Sequence, residues 1–179
     1  MCQLVSVVGL VLQRVKTLQR SGSLYEESLL GTDERSLLVS VSLSKTALGL
    51  GIFDASTGQA WASNLEGDDR FARALDEILR WRPTEIVVSP KDAEDDALCA
   101  LFSHLDGVLI SQHRASETKR RNRLEKVLKV ADLGYVDLDD APLALAADGL
   151  AADYLATMHI ADEVTIRDIE VIDEAGHLV

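Results

Sequence analysis

The chain has 179 residues, a net charge of −12 at pH 7 and an apolar content of 47%. This length and apolar content provide for one ordinary domain and part of a second, and they exclude a disordered chain. The acidic charge argues against a surface that binds nucleic acid throughout, although it leaves room for a local basic patch. Cys2 and Cys99 are the only cysteines, so we expect neither a disulfide framework nor a zinc site, and we expect an intracellular protein.

The N-terminal apolar run, residues 4–12, is too short to cross a bilayer, which takes ~20 residues. It also lacks the basic segment and the cleavage site of a secretory signal, so we expect no association with a membrane. Three basic residues with no acid among them leave an organelle transit peptide as an alternative: Arg14, Lys16 and Arg20. The favoured interpretation of residues 1–22 is a β-rich linker strand.

Three strands follow at hairpin spacing. In "LLVSVSL" apolar residues alternate with serines, which is the period of a strand. "LGLGIFDA" and "GQAWASNL" are two more strands, joined by the turn "DASTG". Together they predict an antiparallel meander.

Helices alternate with strands after the meander. "GDDRFARALDEILRW" carries the apolar stripe of a helix buried on one face, and Pro83 ends it. "TEIVVS" is a short, continuously apolar strand, and a helix over residues 93–105, the strand "GVLIS" and a helix over residues 115–131 come next. The order β-β-β-α-β-α-β-α predicts a mixed sheet with "LLVSVSL" at its centre, between "LGLGIFD" and "TEIVVS".

The composition of the sequence changes near residues 132–142, where we expect a domain boundary. "DLGYVDLDDAP" is acidic and loop-like, and "LALAADGLAADYLATMH" is alanine-rich and helical. The tail "VTIRDIEVIDEAGHLV" is predicted to contain a strand.

The predicted strand order resembles the RNase H-like sheet, whose nucleases hold metal ions on clustered carboxylates. Such a site needs an acid on the first strand of the sheet, and "LLVSVSL" has none. Asp54 stands at the end of the second strand, where an aspartate caps a turn well. We therefore interpret Asp54 as a turn residue rather than a metal ligand.

Other catalytic signals are equally weak. The sequence has no phosphate-binding loop, and the acidic run "KDAEDDA" lacks the glycine and the distal glutamate of a calcium loop. The four histidines are scattered and are interpreted as surface or helix-end residues: His104, His113, His159 and His177. We predict no catalytic, metal-binding or cofactor-binding residue in this chain, which is thus expected not to be an enzyme.

A cluster of cations is the one strong charge feature. Seven basic residues lie within sixteen positions of the last crossover helix: Arg114, Lys119, Arg120, Arg121, Arg123, Lys126 and Lys129. The buried stripe of that helix is predicted at Leu124, Val127, Leu128 and Ala131, so most of the charge is expected to face outward. The cluster is either a solvated face balanced by the chain's acids or a patch for phosphates or an acidic partner. No aromatic residues interleave with it, which disfavours stacking on single strands.

The order of several short motifs resembles the connector domain of the MutS family of mismatch-recognition ATPases. The family's motifs occur here in the family's order: a glycine-containing motif, paired leucines, a strand that ends in Asp-x-Ser-Thr-Gly, a helix and a Pro-x-Glu segment. The matching residues, in the same order, are Gly22 and Ser23; Leu29 and Leu30; Asp54, Ser56, Thr57 and Gly58; Leu75; and Pro83, Glu85 and Ile86. Ser21 replaces the family's proline, which is a departure. "ETKRRNRLEKVLK" resembles the variable segment before the core domain, and the helix with Tyr154 and Leu155 resembles the first core helix.

The resemblance implies three parts: a linker strand at 1–22, an RNase H-like connector at 23–133 and the beginning of the core and lever domain at 134–179. It implies a non-catalytic connector that couples mismatch binding to the ATPase and docks a MutL-type partner. The chain ends about where the family continues into the lever, the clamp and an ATPase that would hold ATP and Mg²⁺, so an excised piece or truncated homologue is expected.

The implied partners are mismatched duplex DNA through the full-length protein, the MutL-type protein and a second MutS-type subunit in a dimer. The implied location is the nucleus or nucleoid, or the cytoplasm of a bacterium. Two alternatives stay open: an RNase H-like nuclease or resolvase, and a stand-alone protein-interaction module.

Overall fold

The computed structural model of the chain describes residues 37–54, 57–128, 142–158 and 168–171. The predicted linker strand, the glycine and leucine motifs and residues 132–141 of the acidic segment "DLGYVDLDDAP" lie outside these residues. So does the predicted turn at "DEAG". Among the described helices, none has the length and apolar content needed to cross a membrane.

The centre of the fold is a six-stranded mixed sheet in the order β5-β4-β1-β2-β3-β6. Its strands are β1 (Leu37–Leu43), β2 (Ala47–Asp54), β3 (Gln59–Glu66), β4 (Glu85–Val88), β5 (Leu109–Gln112) and β6 (Asp168–Val171). The β1–β2 and β2–β3 pairs are antiparallel, and the β1–β4, β4–β5 and β3–β6 pairs are parallel. The predicted α/β class, the meander and the central position of β1 between β2 and β4 are confirmed.

The two faces of the sheet differ in side-chain size because β1 alternates with period two. Val39 and Val41 point to a face rich in leucine, valine and isoleucine, while Ser40 and Ser42 point to the other. On β2, Gly51 pairs with Ser40, so small residues adjoin one another across the two strands. We call these the aliphatic face and the small-residue face.

Two helices cover the aliphatic face. They are α1 (Arg70–Trp81) and α2 (Asp96–Phe102), and a 3₁₀ turn at Asp92–Glu94 precedes α2. The predicted helix at 93–105 is therefore shorter than expected. The reason is local: Asp95 is extended, and its side chain accepts hydrogen bonds of 3.0 Å from the backbone N–H groups of Ala97 and Leu98, which starts a new helix there.

The small-residue face is covered by α4 (Pro142–Thr157), and α3 (Glu117–Leu128) packs on α4. The sequence predicts that residues 134–179 begin a following domain. In the structure α4 lies on the sheet, and β6 extends the sheet beside β3. Glycines make this close approach possible, because a Cβ added at Gly49 would lie only 2.1 Å from the carbonyl oxygen of Leu143.

Candidate functional site: a basic helix above buried acids

The predicted basic patch falls on α3 and the loop before it. Arg114, Arg121 and Lys126 are exposed, and Arg121 Nε lies 3.2 Å from Glu125 Oε1 in an ion pair within the helix. Lys129 lies outside the described residues. Of the predicted buried stripe, Leu124 is confirmed as fully buried, whereas the side chains of Val127, Leu128 and Ala131 are not described.

Arg120 is partly buried, unlike the exposed cations of the helix. Its Nη1 is 3.3 Å from Ser42 Oγ and 3.5 Å from the carbonyl oxygen of Ala146, and its Nε donates to the carbonyl oxygen of Ala115 over 3.2 Å. Burial lowers the pKa of Arg120 below its ordinary value, although the negative charge of nearby carboxylates acts to raise it. The cause is the tight α3–α4 crossing, since a Cβ at Gly149 would lie 2.7 Å from Arg120 Cβ. The prediction that most of the charge faces outward therefore does not extend to Arg120.

A buried carboxylate on α4 binds two further cations of the patch. Asp153 has no exposed side-chain surface; its Oδ2 lies 2.9 Å from both His113 Nε2 and Lys119 Nζ, and its Oδ1 lies 3.6 Å from Arg123 Nε. Burial acts to raise the pKa of Asp153, but the hydrogen bonds and positive charge of His113 and Lys119 together hold it below its ordinary value. Asp153 therefore ties α3 and the residue after β5 to α4.

His113 is also not the surface residue that the sequence predicts. Its side chain is only 14% exposed, and its ring packs edge to face on the ring of Tyr154, with 5.5 Å between the ring centroids. The chain brings it there because it follows β5 directly, with its backbone N–H donating to the carbonyl oxygen of Val88. Of the other histidines, His104 is exposed just after α2, and His159 and His177 lie outside the described residues.

A second buried acid joins β4, β5 and α4. Glu85 Oε1 accepts a hydrogen bond of 2.6 Å from Tyr154 Oη and another from Ser111 Oγ. Burial and the bond to Glu85 raise the pKa of Tyr154 above its ordinary value. Both residues carry the family resemblance, but a separation of 69 positions hid their contact from sequence reasoning.

The third buried acid, Asp148, has no exposed surface, and neither of its carboxylate oxygens has a hydrogen-bond partner among the described residues. It faces Gly51, where an added Cβ would lie 2.2 Å from Asp148 Oδ1. Burial raises the pKa of Asp148 well above its ordinary value. A signal was available in the sequence, because Asp148 and Asp153 are the only charged residues in the otherwise apolar α4.

Asp54 lies at the end of β2 and is buried. Its carbonyl oxygen accepts a 2.9 Å hydrogen bond from the backbone N–H of Gly58, the geometry of the predicted turn. Within the described ranges, no group of three or more His, Cys, Asp or Glu side chains is arranged to hold a metal ion. Glu85 and Asp153 thus serve contacts between layers, and Asp54 stands at a turn.

Comparisons with known proteins indicate the family of the chain. A family model described as MutS domain II matches residues 36–165. The chain is 30% identical over 174 residues to the DNA mismatch repair protein MutS of Symbiobacterium thermophilum, covering 96% of this chain and 20% of that protein. It is 31% identical over 175 residues to the DNA mismatch repair protein MutS of Anaeromyxobacter sp. (strain K), covering 93% of this chain and 19% of that protein.

The chain thus spans about a fifth of the length of these curated relatives. The family match includes every described residue before β6, from the first strand of the sheet through α4. The chain therefore belongs to the MutS domain II family.

Proposed function

We propose that this chain is the connector part of a MutS-type DNA mismatch repair protein, with an RNase H-like fold. The observation that carries the proposal is the match to MutS domain II over residues 36–165. The strand order β5-β4-β1-β2-β3, in which a meander is followed by parallel crossovers, supports the RNase H-like assignment. The relatives are named for DNA mismatch repair, and this chain aligns with about a fifth of each.

In this role the chain couples the mismatch-bound DNA to an ATPase that lies elsewhere in the full-length protein. Coupling between distant sites requires a rigid element that can take two dockings. The buried bond of Glu85 with Tyr154 and the ion pair of the exposed Lys119 with the buried Asp153 join the sheet, α3 and α4 into such an element. ATP and Mg²⁺ belong to the ATPase, and mismatched DNA and a second MutS-type subunit are met by the full-length protein.

The docking partner is a MutL-type protein, and the outer row of α3 with its preceding loop is the proposed contact. Arg114, Arg121 and Lys126 are exposed and form the outer row. Lys119, although also exposed, and Arg123 pair with the carboxylate of Asp153. Exposed cations speed association with an acidic surface and make it dependent on salt. The outer row therefore steers the partner toward the chain, and the two cations that pair with Asp153 hold α3 on α4.

The experiment compares two double variants that remove equal charge. Arg121→Gln with Lys126→Gln changes the outer row, and Arg80→Gln with Lys45→Gln is the control. Arg80 is matched to Arg121 because each is an exposed helical arginine in an ion pair with an acid of its own helix, Glu77 in the case of Arg80. Biosensor binding to an immobilised MutL-type protein is measured at low and high salt.

We expect the outer-row variant to associate more slowly at low salt, by about fivefold, and the control to match the parent. High salt should bring all three to the same rate. Equal rates for the parent and the outer-row variant at low salt would show that the row is only a solvated face. Parallel binding to duplex DNA tells whether the row serves a phosphate backbone instead.

Coupling itself is tested in a chimera. Residues 36–165 replace the matching segment of the Symbiobacterium thermophilum relative, and the release of mismatched DNA on addition of ATP is measured. A chimera that binds mismatched DNA and releases it with ATP supports the connector role. A chimera that binds mismatched DNA but no longer responds to ATP contradicts it.

A further inference from the structure

Asp148 lies in a close contact between α4 and the central strands, with no exposed surface. A Cβ built at Gly51 would meet Asp148 Oδ1 at 2.2 Å, the backbone nitrogen of Asp148 at 2.9 Å and Ser40 Oγ at 2.7 Å. Ser40 and Gly51 are paired residues of β1 and β2, and Ser40 Oγ donates to the carbonyl oxygen of Gly51 over 3.3 Å. The carboxyl group of α4 is thus pressed onto the backbone of the central strands.

Among the described residues, the charged groups nearest to this contact bond to other partners. On α3, Arg120 bonds to Ser42, Ala115 and Ala146, while Lys119 and Arg123 face Asp153. On β4, Glu85 accepts from Tyr154, and after β5, His113 bonds to Asp153. The described residues of β1, β2 and β3 on the face that α4 covers are serines, glycines, alanines and apolar side chains, apart from Asn64 and Glu66 at one end. Glu66 is exposed, and its Oε1 accepts a hydrogen bond of 3.1 Å from Asn64 Nδ2.

An ionised carboxylate cannot be held in such a site without a large penalty, since charge buried without a partner is strongly disfavoured. A neutral carboxyl group can be held, because it carries far less desolvation cost. We propose that α4 docks on the sheet only with the carboxyl group of Asp148 protonated, so that the docking of the α3–α4 layer is a proton-linked contact that loosens as this group ionises. The inference rests on the packing of this chain and does not depend on the MutS-type role.

The direction of the effect follows from linkage. The pKa of Asp148 is raised in the docked state by burial and is ordinary once α4 leaves the sheet. Docking is therefore complete below the ordinary aspartate value of about 4 and is lost progressively as the pH rises through the raised value of the docked state. Within that window the docking equilibrium falls about tenfold for each pH unit. Replacement by asparagine, which is always neutral, abolishes this dependence.

Two measurements on the full chain test the proposal. The first is hydrogen exchange of the α4 amides between about pH 5.5 and 8.5, corrected for the intrinsic exchange rate, in the parent and in Asp148→Asn. We expect protection of α4 to fall with pH in the parent and to stay constant in the variant, while β4 and α2 keep their protection in both. Asp76→Asn, at an exposed position of α1, is the matched control and should behave as the parent.

The second measurement needs no variant, so it decides the matter even if Asp148→Asn fails to fold. The side-chain carboxyl carbon of Asp148 is titrated by NMR in the parent. A midpoint well above the ordinary value supports the proposal. A midpoint near 4, or α4 protection in the parent that does not change over the whole pH range, overturns it.

Discussion

Gly49→Ala is the most direct test of where α4 sits. Gly49 lies on β2 beneath the first turn of α4, where an added Cβ would be 2.1 Å from the carbonyl oxygen of Leu143 and 2.5 Å from the backbone nitrogen of Ala144. Both groups are backbone atoms, so no change of side-chain rotamer can relieve the contact. The methyl group must push the helix off the sheet or bend the strand.

The expected loss of stability follows from two opposing effects. Overpacking a close contact costs about 1–3 kcal/mol. This contact belongs at the upper end of that range because the added methyl group would meet backbone atoms of α4, which cannot rotate away. Alanine in a strand recovers roughly 0.5–1 kcal/mol relative to glycine. The free energy of unfolding should therefore fall by about 2 kcal/mol, which for a chain of this size lowers Tm by about 4–8 °C.

Urea unfolding followed by circular dichroism gives the change in free energy, and hydrogen exchange shows where it arises. We expect the α4 amides to lose protection in Gly49→Ala while α2, on the opposite face, is unchanged. Gly149→Ala is the comparison, because its Cβ would meet Arg120 of α3 instead of the sheet and should loosen α3 alone. A Gly49→Ala chain within about 0.5 kcal/mol of the parent, with α4 fully protected, would refute the placement of α4.

Two more predictions concern the buried acids. Tyr154→Phe removes the 2.6 Å bond to Glu85 and should lower the free energy of unfolding by about 1.5–3 kcal/mol, as measured in urea; no change would mean that the hydroxyl does not serve this carboxylate. Asp153 has a lowered pKa, so its stabilising contribution is present above the ordinary value of about 4 and is lost as the pH falls through the folded-state value. Asp153→Asn should therefore flatten the acid side of the Tm-against-pH curve in scanning fluorimetry, and superimposable acid limbs would contradict this.

The sequence by itself determined the strands of the meander and the central position of β1 between β2 and β4, but not the place of β6 in the sheet. Alternation of apolar residues with serines gives β1 its two faces, and the turn after Asp54 is correctly predicted because turn chemistry is local. Short motifs at the right spacing indicated the family, which the domain II match over 36–165 confirms. These properties depend on residues near one another in the chain.

The interior of the candidate site depended on tertiary structure. The sequence does not indicate that α4 covers the small-residue face or that Arg120, unlike most cations of α3, is half buried. Periodicity reports how much of an element is buried, but it does not say which surface buries it. Asp148 contacts β2, and Asp153 contacts α3, because α4 lies close to the sheet. Gly49 and Gly51 allow that approach, although they precede α4 by about a hundred residues. Contacts at that separation are decided by the fit of two surfaces, which no local pattern in the sequence records.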